Sequence, residues 1–250
     1  MSLPLGNREK DIAIITLRNP RKHNCLTLSD VNIIIKYLKS WKNTNLRALI
    51  LTAEGKSFCS GFSLSELEKR QWKKNPITRL SDELENCDYP TICALNGSAY
   101  GGGVEIALSC DFRVGHKKMK IFVPPAKLGI HYEPTGLIRS INVLGVQLTR
   151  RLFLLNEEIK GEALLDVGFV DFLVGKGEDV FLEAQEKASL IIKGAPLAVD
   201  GMKKTIVEII KSNSDSKIVR ERIKNCFESS DHLEALNALR ENRNPVFTGK

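Results

Sequence analysis

The six cysteines, Cys25, Cys59, Cys87, Cys93, Cys110 and Cys226, form no C-x-x-C pair. Several lie among apolar residues, so the pattern argues against a disulfide framework or a zinc site and predicts reduced thiols. The chain also lacks a run of eighteen apolar residues, and no membrane span is expected. Its opening, MSLPLGNREKD, has no apolar h-region, and its closing FTGK is not a receptor-read address. With the thiols, these absences predict a cytoplasmic protein. The basic clusters HKKMK and QWKKNP carry no aromatic interleaving and no helix-turn-helix pattern, which argues against nucleic acid as a partner. Histidine is scarce, with four in the chain, and none belongs to a metal-ligand spacing. His23 and His116 flank basic residues as surface groups, and His232 reads as solvent-facing in a C-terminal helix. There is no internal repeat and no low-complexity tract.

What is present is an ordinary globular composition. The 250 residues are 42% hydrophobic and 27% charged, enough to bury a sizeable core. The net charge of +7 comes from basic residues scattered along the chain, a balance that attracts an anionic small molecule. From residue 11 to about 175 short apolar strands alternate with helices. IAIITL, LRALILTA, TICAL, DFRVG, MKIFV and GFVDFLV read as strands. LSDVNIIIKYLKSWK, begun by Thr27 or Ser29, reads as a helix, as do SLSELEKR, TRLSDELENC and QLTRRLFLL. From about residue 178 almost everything is helical, with Pro196 opening one segment. This predicts an α/β core over residues 1–195 and a helical region over 196–250. Trp41 and Trp72 read as packing residues.

The stretch NGSAYGGGVEIALSCD, Asn96 to Asp111, puts three glycines between the strand TICAL and an apolar helix that contains one acid, Glu105. Glycine lets another backbone approach closely, and the first turn of a helix presents unpaired N–H groups and a positive dipole end. A buried acid there either caps the helix or carries out a task. A second strand reaches a glycine turn before a helix in AEGKSFCSGFSLSEL, at Gly61. Two such turns can aim two N–H groups at one point, as a thioester oxygen requires when it becomes an enolate.

Four segments together resemble the crotonase superfamily, the enoyl-CoA hydratase and isomerase group, over nearly the whole chain. The N-P-x-x-x-N-A-L pattern appears as Asn19, Pro20, Asn24, Cys25 and Leu26. A G-x-x-F-x-x-G segment runs from Gly55 to Leu67, the glycine-rich core from Asn96 to Asp111, and the C-terminal pattern from Ser229 to Gly249. The resemblance implies a spiral of ββα units, a helical C-terminal part that mediates trimerisation, and an acyl-CoA thioester as substrate. Coenzyme A is then part of the substrate and no separate cofactor is expected; a homotrimer or dimer of trimers is. It further implies that the backbone N–H groups of Phe62 and Gly102 form an oxyanion hole, and that Lys22, His23, Asn24, Gly61 and Gly101 meet the substrate. Glu105 falls on the first of two catalytic glutamates and is the expected acid/base.

The chain departs from that pattern in three places. Pro125 stands where the second catalytic glutamate belongs, in PPAKLG, and proline transfers no proton. Phe62 replaces a customary alanine, and Ser63 the usual acid. The loop GIHYEPTG offers His131, Tyr132 and Glu133 in place of a glycine-rich loop, with His131 as a substrate contact and Tyr132 or Glu133 as catalytic helpers. Three functions follow: a hydratase or isomerase with Glu105 as principal acid/base, a methylmalonyl-CoA-type decarboxylase that needs no second base, or an acyl-CoA-binding protein without turnover.

Overall fold

The computed structural model describes residues 2–68, 72–175 and 179–250. In chain order the elements are β1 (Leu5–Glu9), β2 (Ile12–Leu17), α1 (Leu28–Ser40), β3 (Ala48–Ala53), β4 (Ser57–Cys59), α2 (Leu64–Leu67), α3 (Pro76–Glu85), β5 (Thr91–Ala94), β6 (Ser98–Tyr100) and α4 (Gly102–Leu108). Then follow β7 (Phe112–His116), β8 (Lys120–Phe122), α5 (Pro134–Leu154), β9 (Glu158–Lys160), α6 (Ala163–Asp166), β10 (Phe172–Val174), α7 (Val180–Ile192), α8 (Pro196–Ile210), α9 (Ser216–Phe227) and α10 (Ser230–Arg240).

The chain winds between two sheets. One has the order β1-β2-β3-β5-β7-β10 and the other β4-β6-β8-β9, so from β3 to β8 successive strands alternate between the two sheets. All pairings are parallel except β1 with β2 and β8 with β9. This winding agrees with the spiral of ββα units that the resemblance implies. Strand β3 is buried along its whole length because both faces are covered: Ala48 and Ile50 pack toward Ala184 and Ala188 of α7, while Leu49 and Leu51 enter the main core.

Several helices are set by their first residues. Thr27 caps α1 through a reciprocal capping box with Asp30, which decides between the two expected starts. Asn75 accepts from Ile77 N ahead of Pro76, and Asp179 and Asp215 cap α7 and α9 in the same way. Helix α8 is pinned to the core by Lys203, whose buried Nζ donates to Tyr89 O at 2.8 Å and Asp111 Oδ2 at 2.7 Å. All six cysteines are free. Among the described residues no helix is long and apolar enough to cross a membrane.

The structure differs from the sequence reading in places. Strand β1, LGNRE, is an exposed edge whose composition lacks β-formers, and β4, β6 and β9 have three residues each, too few to show a period. A strand therefore separates TICAL from the glycines. The expected helix QLTRRLFLL is the second half of α5, whose first half holds Pro134 and Gly136 and which breaks at Gly145 (φ 77°, ψ 164°). Lys69 and Arg70, at the end of the expected helix SLSELEKR, lie outside the described residues. His232 is half-buried against Phe227, with ring centroids 5.2 Å apart, instead of facing solvent.

Candidate functional site

Two turns meet at the ends of neighbouring parallel strands. Strands β4 and β6 pair through Ser57 with Ser98 and Cys59 with Ala99, and each then enters a glycine turn. In the first, Leu26 N donates to Gly61 O and Ser63 N to Leu26 O, both at 2.8 Å. These bonds use the peptides on either side of Phe62, so the Phe62 N–H points to the opposite face. That face holds the start of α4. A Cβ on Gly61 (φ 87°) would lie 2.7 Å from Gly102 N, which is how closely the two turns approach. Gly102 is the first residue of α4, where an N–H has no partner within the helix. Among the described residues neither N–H meets an acceptor. Cys59 fixes the turn: its thiol, pushed up to about 12 by burial, donates to Asn24 O and accepts from Gly61 N.

Glu105 lies one turn further along α4 and is 4% exposed. It shares a cavity of about 150 Å³ with Phe62, Gly102, Pro125, Tyr132 and Glu133. Leu64, Leu67, Ile77, Leu128 and Ile130 supply its apolar wall, and Gly101 and His131 also line it. Burial raises the Glu105 carboxyl to about 7, while Arg139 and the Thr78 hydroxyl hold it down. A carboxyl poised there can both take and return a proton near neutral pH. Tyr132 packs edge-on against Phe153, with centroids 4.8 Å apart. Burial and the nearby Glu105 charge keep its hydroxyl well above the ordinary tyrosine range, so it is a donor and not a base. Glu133 is exposed at the rim, ahead of α5.

The structure does not bring every expected residue to the cavity. Lys22 and His23 stay exposed outside its lining, although the His23 carbonyl accepts from the N–H of Ser60, which does line it. Asn24 is corrected from a ligand contact to a loop clamp. It is 1% exposed, and its side chain is spent on Asn19 N, Glu54 O and Ser57 O. His116 is half-buried, with Nε2 3.2 Å from Asn96 O. Trp41 and Trp72 pack, against Tyr37 and Phe62 respectively. Sequence reasoning missed Thr78, Asp82 and Arg139. Arg139 carried the signal that exposed Glu105, a charge inside an apolar helical run, GLIRSI.

The raised carboxyl makes a stability prediction. Between pH 4.5 and 7 the folded state keeps a Glu105 proton that the unfolded chain releases, so this group disfavours folding increasingly as pH rises through that window. Relative to wild type, Glu105→Gln should therefore gain stability from pH 5 to pH 8, by roughly 3 kcal/mol. Denaturant titrations of both proteins at the two pH values check this, and a pH-independent difference would contradict it.

A family profile for enoyl-CoA hydratase/isomerase matches residues 7–250. The short-chain-enoyl-CoA hydratase of Clostridium acetobutylicum is 30% identical over 247 residues, 94% of each chain. An enoyl-CoA isomerase/hydratase of Mycosarcoma maydis, fer4, is 32% identical over 215 residues, 82% of this chain and 77% of that one. Among solved structures, an enoyl-CoA hydratase from Bacillus anthracis superposes over the full length of both chains with a TM-score of 0.87 at 27% identity. With this match spanning the spiral, both glycine turns and the C-terminal helices, the chain belongs to the enoyl-CoA hydratase/isomerase family of the crotonase superfamily.

Proposed function

We propose that the chain is an acyl-CoA enzyme in which Phe62 and Gly102 N–H groups hold a thioester enolate and Glu105 carries the proton, best suited to moving a double bond from a 3-enoyl to a 2-enoyl thioester. The observation that carries this is one buried carboxyl, Glu105, in a cavity also lined by Phe62 and Gly102, whose N–H groups meet no acceptor among the described residues, and by Pro125. In such an isomerisation the carboxylate removes a C2 proton, the electrons move into a dienolate whose oxygen faces the two donors, and the new carboxylic acid returns the proton to C4. One group suffices for both transfers. Hydration in addition requires a base for water, which Pro125 does not provide.

Purified protein should convert a short 3-enoyl-CoA to the conjugated 2-enoyl-CoA, followed by the ultraviolet absorbance of the product, faster than it hydrates crotonyl-CoA. Release of CO₂ from methylmalonyl-CoA at a higher rate than either reaction would instead establish the decarboxylase. Tyr132→Phe should depress turnover more than Glu133→Gln, since Tyr132 is packed into the cavity and Glu133 stands at its exposed rim. The reverse order in steady-state rates would reassign the helper role.

The C-terminal helices support assembly. Met202, Ile206 and Ile209 of α8, Phe227 of α9 and Leu239 of α10 are all more than half exposed. An apolar hollow of about 550 Å³ lies between α8 and the core. A trimer or dimer of trimers covers such surface, and a monomer in sedimentation at micromolar concentration would contradict it.

A further inference from the structure

One cation sits under the acid/base. Arg139 of α5 is 3% exposed, and its guanidinium is shared among three carboxylates from two other helices. Its Nη1 donates to Glu105 Oε1 at 3.3 Å. Its Nη2 donates to Asp82 Oδ1 and, at 3.3 Å, to Glu85 Oε2, both on α3. Its Nε is buried and meets no acceptor among the described residues. The two α3 acids are themselves tied outward, Asp82 to Lys74 and Glu85 to Lys211 at 2.8 Å. A guanidinium needed only to join α5 to α3 is satisfied by Asp82 and Glu85. The additional single bond to a carboxylate that lines the cavity asks for another account.

We propose that Arg139 is the positioning residue of the acid/base: Nη1 fixes the Glu105 carboxylate toward the cavity, while Asp82 and Glu85 compete for the same cation and set how much of its charge Glu105 receives. The inference rests on Glu105 being the proton carrier. Thr78 and Asp82 from α3, Arg139 from α5, and Tyr132 and Glu133 from the loop before α5 act on Glu105, Glu85 reaches it only through Arg139, and His131 lies on the same cavity. Arg139 is the cation bonded to it, so removing Arg139 makes the carboxylate harder to form. Removing the charge of Asp82, which raises the Glu105 proton affinity, makes it easier. The two changes act in opposite directions.

The test is the pH dependence of kcat/KM for the 3-enoyl-CoA substrate, measured on the full chain. Arg139→Gln should move the acidic limb to higher pH by about one to three units, the scale for losing an opposite charge nearby. Asp82→Asn should move it to lower pH, because asparagine still accepts from Arg139 but no longer offsets its charge. Arg139→Lys should restore most of the limb position without restoring kcat, since a single ammonium cannot bond both sides as the planar fork does. If Arg139→Gln, which leaves Glu105 without a cation and takes one from Asp82 and Glu85, fails to fold, Asp82→Asn decides alone. A limb that stays in place or rises in Asp82→Asn, whatever happens to kcat, overturns the proposal and leaves the cluster as scaffolding. Glu105→Gln with undiminished turnover is a separate result: it removes the reading on which the proposal rests.

Discussion

Replacing Glu105 with glutamine is expected to lower turnover by about 10² or more while acyl-CoA affinity stays within a few fold. The amide keeps the volume of the carboxyl and still offers an oxygen to Arg139 Nη1, so the cavity and helix α4 have no reason to move. What it loses is the exchangeable proton. Pro125, which also lines the cavity, carries no proton, Glu133 stands at the exposed rim, and Tyr132 holds its proton too tightly to act as a base. Steady-state kinetics together with calorimetric binding of a non-reactive acyl-CoA separate the two effects. Equal losses in binding and turnover would mean the substitution had deformed the site. Turnover at the wild-type rate would take Glu105 out of the mechanism.

Gly61→Ala is expected to cost a comparable or larger factor, about 10² to 10³ in kcat, by a route that touches no side chain. Gly61 has φ 87°, where an alanine is strained by about 1–2 kcal/mol. Its Cβ would also lie 2.7 Å from Gly102 N, 3.2 Å from Gly102 Cα and 3.3 Å from Tyr100 O. All three are backbone atoms, so the first turn of α4 must move away from Phe62, and the proposed convergence of the two N–H groups is then lost. Gly136→Ala offers a milder comparison. Its Cβ would sit 3.1 Å from Glu105 Cδ and from Tyr132 Cδ1, side-chain atoms able to give by a few tenths of an ångström. Full activity in Gly61→Ala, with unfolding midpoints showing an intact fold, would disprove the convergence of the two donors.

The sequence carried the frame of this site more legibly than its supports. LRALILTA is visible as a strand because β3 is buried on both faces and reads as a nearly continuous apolar run, IAIITL is visible because it is short, apolar and rich in β-branched residues, and Glu105 is conspicuous because nothing else on α4 is charged. The meeting of Gly61 with Gly102 is tertiary. It depends on β4 and β6, three-residue strands with no readable period; the two glycine turns suggest that two N–H groups can meet, and the family resemblance points to Phe62 and Gly102 as the pair. Asn24 misled because a polar residue in a loop motif looks the same whether it faces a ligand or clamps its own backbone. Only the three backbone partners tell them apart. Arg139 was hidden by its surroundings: Pro134, Gly136 and Gly145 break up the helical pattern of α5, so the charge in the middle was not set against an apolar face.

The proposed donors, the N–H groups of Phe62 and Gly102, are peptide groups just past the ends of two paired strands, which bears on how such a protein diversifies. Apart from proline, a point substitution can displace a peptide N–H but cannot delete it, so the proposed charge-stabilising part of the site is not encoded by any side chain that drift could erase. The apolar wall of Leu64, Leu67, Ile77, Leu128 and Ile130 is under no such protection. A lineage, or a directed-evolution library, can rewrite which acyl tail is admitted at those positions without having to reinvent the handling of the thioester. Random libraries aimed at the wall should consequently return many active variants with shifted chain-length preference, whereas libraries aimed at residues 61 and 102 should return few active variants of any kind.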